Sequence, residues 1–356
     1  DLMNTKTYGI GIAGTGLIAP FQARAIQAME GAELVAFHGR NAERVKALAA
    51  EFGCAGYTDC DAFLKHDGLD VVSVCTASGA HRDPAIAAAN AGKHVVVEKP
   101  LEVTTERVDE MIAACDRNKV MLAGIFPRRY VPSAKLLKQA ADAERFGRII
   151  MADAYIKWWR SQAYYESGAW RGTWELDGGG AMMNQAIHTI DLLLYVMGDV
   201  KTVRAETKTV AHTGIEVEDV AVAMIEFESG AMGVIQASTA CWSEEGHPAE
   251  IQICGTKGSA FMTDDKFRVW EFQEKKPEDE QIRAEHGFNA DAGGAGAADP
   301  AAISFLWHQW NFEDVVAALR EGRKPLVDGA EGRRAIALIR AMYESSARGG
   351  EKVEVR

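Results

Sequence analysis

Paired cysteines are missing from this sequence. Its six cysteines form no CxxC pair and no tight cluster with histidine, which argues against a zinc site or a redox dithiol. We therefore expect no bound metal, and we interpret the cysteines as buried thiols of a protein kept in a reducing compartment.

Long apolar runs are missing as well. No apolar stretch approaches the ~18 residues of a membrane span, and the first residues, DLMNTKTYG, lack the hydrophobic core of a signal peptide. The sequence predicts a cytoplasmic protein without a membrane partner. The alternative left open is an export presequence removed ahead of Asp1.

Positive charge is in short supply, because 39 Lys and Arg stand against 51 Asp and Glu, for a net charge of −12. This excludes a protein that binds nucleic acid through bulk positive charge, so any anionic ligand must be met by a local site. The 356 residues correspond to about two domains at ~150 residues each.

The first part of the chain alternates short β-branched runs with alanine-rich, helix-periodic stretches, the pattern of βαβ units. The apolar runs do not alternate with polar residues, as expected of strands covered by helices on both faces. The predicted strands span 8–13, 33–39, 70–76, 94–100 and 120–126, and the helices between them span 41–52, 84–92 and 104–118. These elements predict an α/β, doubly wound parallel sheet in an amino-terminal domain, 1–127.

After Phe126 the strands alternate apolar and polar residues, which predicts an α+β domain, 128–356, with a large open, mainly antiparallel sheet. A glycine- and alanine-rich stretch, 286–302, predicts a surface loop. The predicted strands span 149–159, 200–210, 219–228, 231–239 and 249–255, and helices at 309–322 and 330–349 close the chain and can pack back on the first domain. The helices are too few to cover both sheet faces, which predicts a homodimer or homotetramer through this sheet.

A glycine-rich turn follows the first predicted strand. In GTGLIA, Gly14, Gly16 and Ala19 match the GxGxxG/A pattern, and a helical stretch follows directly. The first glycine permits the tight turn, the second lets the backbone approach a pyrophosphate, and the small Ala19 lets helix and strand pack closely. An ordinary glycine turn is the alternative, but the strand–turn–helix context predicts a Rossmann domain that binds a dinucleotide.

Acidic residues are missing at the end of the second strand, where NAD enzymes place Asp or Glu for the ribose 2′-hydroxyl. The sequence there is FHGRNAER, with Gly39 at the tip, Arg40 after it and Arg44 one turn into the next helix. A guanidinium suits the 2′-phosphate that a carboxylate would repel. NADP is therefore favoured, and the alternative is that Arg40 stacks on adenine and the cofactor is NAD.

The segment VVVEKP places Glu98, Lys99 and Pro100 at the carboxyl end of a parallel strand, where open α/β sheets bind ligands. A lysine that is partly desolvated beside a nicotinamide can have its pKa lowered to ~7–8, which suits proton transfer. The alternative is a surface lysine at a strand end.

The later segment DGGGAMMNQAIHTIDLL opens a helix on three glycines. Asn184, His188 and Asp191 fall at i, i+4 and i+7 and are expected to share one helix face. Polar groups are rarely buried together without partners or function, which favours a functional His188 over a histidine that merely packs in the core.

With these segments in view, the chain resembles the Gfo/Idh/MocA family of NAD(P)-dependent oxidoreductases along essentially its whole length. The resemblance rests on GTGLIA, CTASGAH (75–81), AGKHVVVEKP (91–100), WRG followed by DGGG and NQAIHTIDLL, and the ending GRKPLVDGAEGRRAIALIRAMYESS. It implies that Lys99 and His188 flank the substrate carbon that exchanges hydride with the nicotinamide, and that Arg128 contacts substrate or cofactor. The turn and the resemblance together give these expected cofactor contacts: Gly14, Thr15, Gly16, Leu17, Ile18, Gly39, Arg40, Arg44, Thr76, Ala77, Ser78, His81, Glu98, Lys99, Trp170 and Arg171.

Two positions depart from the family's pattern. Ala77 stands where the family often has Thr followed by Pro and Asn or Ser, a mild change in loop rigidity. Many members have Asp four residues before the histidine, where this chain has Asn184, and an amide can orient a group but cannot act as a base. This weakens an inositol-dehydrogenase assignment; the NQAIHTIDLL form is similar to members assigned to nucleotide sugars, glycosides or anhydrosugars.

The predicted reaction is reversible oxidation of a secondary alcohol on a sugar, glycoside or nucleotide sugar, of EC 1.1.1 type. His188 accepts the hydroxyl proton and Lys99 hydrogen-bonds the alkoxide, unless the two exchange roles, while Asn184 positions a neighbouring hydroxyl. Arg160 and its aromatic neighbours line the substrate side, unless the aromatic residues only pack the sheet or an interface. Two alternatives stay open: a glycoside-cleaving enzyme that uses transient redox on bound NAD, and a non-catalytic dinucleotide-sensing regulator.

Overall fold

The computed structural model describes residues 6–288 and 305–356. Within them the chain forms two compact units, one of residues 6–127 and 305–333 and the other of residues 128–288 and 334–356. Most of the loop predicted at 286–302 lies outside the described residues. That the chain divides into independent domains, 1–127 and 128–356, stays a prediction.

The first unit contains a parallel sheet of six strands in the order β3-β2-β1-β4-β5-β6. The chain steps outward from β1 in one direction through β2 and β3 and in the other through β4 to β6, which confirms the doubly wound α/β fold. The strands are β1 (Tyr8–Ala13), β2 (Ala32–His38), β3 (Ala55–Tyr57), β4 (Leu69–Val74), β5 (His94–Val97) and β6 (Leu122–Gly124). The helices among them are α1 (Ala19–Ala28), α2 (Ala42–Phe52), α3 (Cys60–Leu64), α4 (Arg82–Asn90) and α5 (Thr105–Asn118).

The second unit contains a larger sheet in the order β13-β12-β11-β7-β10-β9-β8-β14. Its strand pairs are antiparallel except β7 with β10, which confirms the mainly antiparallel prediction. The strands are β7 (Ile149–Lys157), β8 (Val200–Lys208), β9 (Val220–Phe227), β10 (Met232–Ser238), β11 (Glu250–Gly255), β12 (Gly258–Thr263), β13 (Lys266–Phe272) and β14 (Val353–Glu354). The helices of this unit are α6 (Pro132–Asp142), α7 (Gln162–Glu166), a π-helical turn (Ala181–Ala186), α8 (Ile187–Met197) and α9 (Glu278–His286). Of the two later helices, α10 (Leu306–Glu321) belongs to the first unit, and α11 (Gly329–Ala347) belongs to the first unit up to Arg333 and to the second from Arg334.

Burial on both faces explains the continuous apolar runs of the first unit. Every residue of β1 is buried, and Ile10 and Ile12 are fully inside the core. Ile26 of α1 and Phe312 of α10 belong to the same hydrophobic cluster. The carboxyl ends of these strands are thereby fixed by a packed interior, and they carry the candidate cofactor residues.

Within the residues that the structure describes, the sheet of the second unit is buried on one face only. Along β9 the residues alternate, with Ala221, Ala223 and Ile225 buried and Val222 and Met224 exposed. The π-helical turn contacts β9 and β10, and α8 contacts β7 and β11. The helical segment that carries His188 is therefore packed on the covered face.

Short strands and strand ends differ from the sequence predictions. The strand predicted over 94–100 ends at Val97. The Glu98 N–H still donates to the Val74 carbonyl at 3.0 Å, but Pro100 has no N–H to continue the ladder. The strand predicted over 120–126 is only Leu122–Gly124. The sequence did not reveal β3, which is too short to show a period, nor β12, β13 and β14.

Candidate active site

The glycine turn after β1 is shaped by its neighbours. Gly14 has φ +126°, and a Cβ there would lie 2.5 Å from the Cys75 carbonyl oxygen. A side chain would therefore strain the backbone and collide with the chain just beyond β4. At Gly16 the nearest heavy atom to an added Cβ is the same carbonyl oxygen, 3.9 Å away. The space beside Gly16 is thus open, as the close approach of a pyrophosphate requires.

The helix that follows this turn begins without a capping side chain. The N-cap residue Ile18 makes no side-chain cap hydrogen bond, and the first turn of α1 contains Pro20 and no acidic residue. The first N–H groups of a helix need outside acceptors, and the positive end of the helix dipole favours an anion there. These features fit a dinucleotide pyrophosphate, which would be held by Gly14, Thr15, Gly16, Leu17 and Ile18.

The end of β2 touches the glycine turn. A Cβ at Gly39 would lie 2.7 Å from Thr15 Cγ2, so glycine is required for this close approach. Arg44 Nε donates to the Thr15 carbonyl, and the Arg44 backbone N–H donates to the Asn41 side chain at 3.0 Å. Arg40, between the strand and α2, is exposed. The strand end therefore presents an exposed guanidinium and no carboxylate at its tip.

His81 lies in the interior, where it joins two segments at the carboxyl edge of the sheet. Its Nδ1 is 2.9 Å from the Pro100 carbonyl oxygen and its Nε2 is 3.0 Å from the Thr76 carbonyl oxygen. Burial lowers the pKa of His81 against the opposing effect of these backbone contacts and of nearby Glu102. Ser78 is also buried, in the short turn that follows Ala77. The predicted cofactor contacts of this segment stay predictions.

Glu98 and Lys99 directly follow β5. Glu98 is 6% exposed and accepts hydrogen bonds from Gln22 Nε2 at 2.8 Å, His308 Nε2 at 3.2 Å and the Lys99 backbone N–H at 3.0 Å. Burial by itself raises the pKa of Glu98, but the hydrogen bond and charge of His308, together with the charge of Lys99, hold it below its ordinary value. Glu98 is therefore an ionised carboxylate inside the unit, whereas the Lys99 side chain next to it is half-buried.

In the second unit, Glu218 holds the start of the π-helical turn. Its carboxylate accepts the N–H groups of Gly180 at 2.9 Å and Met182 at 2.8 Å, and the Tyr343 hydroxyl donates to it at 3.1 Å. A Cβ at Gly180 would lie 1.8 Å from the Glu218 carbonyl oxygen, so only glycine fits there. Burial raises the pKa of Glu218 to about 7 against the lowering effect of these hydrogen bonds.

The segment from Ala181 is not the continuous α-helix that was predicted. It begins as a π-helical turn and becomes α8 at Ile187, so Asn184 and His188 do not have ordinary α-helical spacing. Asn184 Nδ2 donates to Asp177 Oδ1 at 2.6 Å. Asp191 instead forms a bidentate ion pair with Arg129 at 2.7 and 2.8 Å, and both side chains are buried.

Several polar side chains of the second unit meet around Tyr164. Its hydroxyl lies 2.7 Å from Arg171 Nη1 and 2.9 Å from Gln185 Nε2, and both donate to it. The Arg171 guanidinium lies 4.3 Å from the Tyr164 ring centroid and 4.7 Å from that of Trp170. The Arg160 guanidinium is 5.5 Å from the Tyr164 ring centroid, and burial lowers the pKa of Arg160. The structure thus brings two predicted site arginines together.

Arg128 has partners inside the second unit. Its Nη2 donates to the Asp264 carbonyl at 2.8 Å and its Nη1 to Thr189 Oγ1 at 3.4 Å. Burial lowers the pKa of Arg128, and the charges of Asp264 and Asp265 oppose this. Its predicted contact with substrate or cofactor stays a prediction.

Sequence reasoning missed His308, Gln22 and Glu218. Gln22 is buried within the otherwise apolar face of α1, and a polar residue at such a position is a usable signal. His308 lies 210 residues from its partner Glu98, so no local spacing relates the two. The acidic pair that precedes β9 gives no indication that Glu218 binds the glycine turn.

Neither a membrane-spanning helix nor a metal site is found in the part of the chain that the structure describes. No helix there is long and apolar enough to cross a membrane. No group of three or more His, Cys, Asp or Glu residues there could hold a metal ion.

Two family profiles match the chain. The profile described as "Oxidoreductase family, NAD-binding Rossmann fold" matches residues 8–126. The profile described as "GFO/IDH/MocA C-terminal domain" matches residues 134–261. The first match spans all six strands of the parallel sheet, and the second spans β7 to β11 and most of β12 in the larger sheet.

Individual relatives match between about two thirds and all of this chain. The chain is 31% identical to a 1,5-anhydro-D-fructose reductase of Ensifer adhaerens over 239 residues, covering 64% of this chain and 68% of that protein. It is 27% identical to a D-apiose dehydrogenase of Paraburkholderia graminis, covering 99% and 90%. A structure of the WlbA dehydrogenase from Bordetella pertussis with NADH and UDP-GlcNAcA is 33% identical, covers 100% of this chain and 99% of that chain, and has a TM-score of 0.89. The chain therefore belongs to the Gfo/Idh/MocA family of NAD-binding oxidoreductases.

Proposed function

We propose that this enzyme moves a hydride between a nicotinamide dinucleotide and a secondary alcohol or ketone of a sugar, glycoside or nucleotide sugar. The observation that carries the proposal is the combination of an open, uncapped glycine turn with a lysine at the carboxyl end of β5 and a histidine on a helix whose start is fixed by buried groups. The names of the sugar dehydrogenase and reductase among the relatives support the same substrate class.

Two side chains perform the proton chemistry in this proposal. When bound, the nicotinamide supplies the site that accepts or gives up the hydride. His188 takes the proton of the substrate hydroxyl, and Lys99 donates a hydrogen bond to the same oxygen as negative charge develops on it; the two can exchange these roles. Asn184 is anchored by Asp177 and orients a neighbouring hydroxyl, because an amide does not take up a proton.

We propose that the cofactor is NADP in preference to NAD. Arg40 is exposed beside the glycine turn, and a guanidinium binds a 2′-phosphate that the acidic residue of NAD enzymes would repel. Arg44, which is bonded to the Thr15 carbonyl, stabilises the turn on the same side. A ratio of kcat/KM values decides the matter: at least a tenfold preference for NAD contradicts this assignment.

Arg160 lines the substrate side in this proposal, and Trp170 and Arg171 contact the cofactor. The support is that Arg160 and Arg171 both lie against Tyr164 in the second unit, and that Trp170 lies against Arg171. The flat aromatic surfaces there suit the CH faces of a pyranose ring.

We propose that the chain forms a homodimer or homotetramer through its larger sheet. The uncovered face of that sheet carries neighbouring apolar side chains, because Met232 pairs with Met151 on β7 and Val234 pairs with Met224 on β9. Monomeric proteins rarely leave such a contiguous apolar patch in water.

A substrate screen tests the reaction type. The enzyme is mixed with NADP or NAD and with sugars, glycosides and nucleotide sugars, and the reduced nicotinamide is followed by absorbance. We expect reduction with at least one class. Release of sugar from a glycoside without any accumulation of reduced cofactor contradicts the proposal and indicates a lyase or hydrolase with transient redox.

Two substitutions test the assigned groups. Lys99→Met and His188→Ala are each expected to lower kcat by ~10² to 10⁴, because each removes a proton-transfer or oxyanion group. Matched controls are Lys93→Met, since Lys93 bonds the Leu69 carbonyl elsewhere in the first unit, and His286→Ala on α9. Near-wild-type kcat in both site variants ends the proposal.

A further inference from the structure

A hydrogen-bonded network of buried polar side chains ends at the backbone N–H of Lys99 in the first unit. Ser73 Oγ donates to Gln22 Oε1 at 2.5 Å, and Gln22 Nε2 donates to Glu98 Oε1 at 2.8 Å. His308 Nε2 reaches the same Glu98 oxygen at 3.2 Å. The other Glu98 oxygen accepts the Lys99 backbone N–H at 3.0 Å. The network therefore connects α1, β4 and α10 to the residue after β5.

His308 has one defined polar contact in this network. The residue is 8% exposed, and its Nδ1 is buried with no hydrogen-bond partner among the described residues. An ionised carboxylate can only accept hydrogen bonds, so Nε2 carries the proton that is shared with Glu98. Burying a polar ring that is held at a single atom costs free energy, and within the described part of the chain the one contact that offsets this cost is the contact with Glu98.

We infer that His308 is a positioning residue for Lys99 and acts through Glu98. The imidazole fixes the Glu98 carboxylate from one side, and the carboxylate in turn fixes the Lys99 backbone at the strand end. By donating a hydrogen bond to Glu98, the His308 imidazole also offsets part of the negative charge that acts on the Lys99 ammonium. The inference rests on the proposed role of Lys99 in the reaction.

The effect of replacing His308 on the protonation of Lys99 depends on every charged or titratable group near Glu98. The charge of Glu98 acts on Lys99, on His81 and on the Cys75 thiol, and the buried Glu102 acts on His81 and is paired with Arg107 at 2.7 Å. These groups remain in place when His308 is replaced. Loss of the imidazole donor therefore leaves the Glu98 charge less compensated, and an uncompensated carboxylate favours the protonated form of a nearby lysine.

Two variants separate the donor from the shape of the ring. His308→Phe keeps a planar ring and removes the donor, whereas His308→Gln keeps an N–H donor of similar reach. The matched control is Gln309→Ala, because Gln309 is the next residue on α10 and bonds Glu313. Thermal unfolding of all three shows whether each variant is folded at the assay temperature.

The test is the pH dependence of Lys99 acylation in the cofactor-free protein, measured by competitive labelling with acetic anhydride and peptide mass spectrometry. In His308→Phe we expect the labelling midpoint of Lys99 to rise by about one pH unit, while that of the exposed Lys46 is unchanged. His308→Gln and Gln309→Ala are expected to keep the wild-type midpoint. An unchanged Lys99 midpoint in folded His308→Phe, or an equal rise in His308→Gln, overturns the inference.

Kinetics give the second readout. His308→Phe is expected to lower kcat about tenfold, the loss of roughly one hydrogen bond to a charged group, with His308→Gln restoring most of it. An equal loss of kcat in both variants overturns the inference. The labelling experiment needs no substrate, so failure of the proposed reaction and failure of this inference are distinguished.

Discussion

At the scale of single residues, Glu218 is a carboxylate that folding buries, and burial disfavours its charged form. It is buried, yet it holds the two N–H groups at the start of the π-helical turn. Ionised, it makes stronger hydrogen bonds to those donors; protonated, it avoids the desolvation of a charge. A residue balanced in this way makes the stability of the His188 segment depend on pH.

Replacing Glu218 with glutamine is expected to change that dependence. The pKa of about 7 in the folded chain lies above the ordinary 4.5, so proton uptake favours folding. This contribution is complete below about pH 4.5 and is lost as the pH rises through about 7. Between pH ~5 and ~8 the wild type is expected to lose up to about 3 kcal/mol relative to Glu218→Gln. Urea unfolding of both proteins at the two pH values measures this, and a difference that does not change with pH contradicts it.

The residues that the sequence could identify are those that stand in local patterns. Gly14, Lys99 and His188 are recognisable because the strand, turn or helix that carries each lies beside it in the chain. His308 and Glu218 are not, because their partners are reached only through tertiary folding. Asn184 was recognised, but its bond to Asp177 depends on the π-helical turn, which no residue pattern indicated.

At the scale of elements, the β1–turn–α1 unit shows two glycines required for different reasons. Gly14 is required by the fold, since its φ is positive and an added Cβ meets the Cys75 carbonyl. Gly16 meets nothing closer than 3.9 Å and is required only if a ligand approaches the backbone there. Within a single turn, one glycine is therefore required for folding and the other for binding.

The substitutions Gly14→Ala and Gly16→Ala are expected to behave differently. Gly14→Ala lowers the melting temperature, because the strained conformation and the clash cost on the order of 1–3 kcal/mol. Gly16→Ala keeps the wild-type melting temperature and weakens dinucleotide binding by at least about tenfold, equivalent to ~1.4 kcal/mol. Thermal unfolding and calorimetric titration with NADP and NAD measure the two effects. Wild-type affinity in Gly16→Ala would show that the dinucleotide does not approach this glycine.

Elements with a sustained period were predictable and short ones were not. β1 matches its predicted range and β9 lies within one residue of it, because one is continuously apolar and the other alternates clearly. β3 has three residues, fewer than a period-2 signal needs. The π-helical turn was missed because its apolar residues fit an α-helical pattern equally well.

At the scale of the whole molecule, the larger sheet is covered by helices on one face, while the other exposes apolar side chains. Met224 is 63% and Met232 is 60% exposed, and Val222 lies beside them on the same face. The sequence predicted both sheets and their strand directions, since alternation in one half and continuous apolar runs in the other follow from how each sheet is covered. Substrate identity was not predictable at this scale, because one fold serves many substrates.

Light scattering tests the assembly proposed for this face. The wild type is expected to have the mass of a dimer or tetramer at micromolar concentration, and Met224→Glu is expected to dissociate it, because burying an unpaired carboxylate costs several kcal/mol. The control is Ala91→Glu, an exposed position in the first unit, which should keep the wild-type mass. A monomeric wild type contradicts the assembly.

Transfer of an isotope label tests whether this enzyme moves a hydride from its substrate to the nicotinamide. A substrate found in the screen is prepared with deuterium on the carbon that carries the reacting hydroxyl, and the reduced nicotinamide is analysed by mass spectrometry after complete turnover. We expect one deuterium in each molecule of reduced cofactor, and a rate that falls sharply in Lys99→Met and His188→Ala. Deuterium that returns to the product without net cofactor reduction, or that is lost to water, would contradict net hydride transfer from substrate to cofactor as the enzyme's reaction.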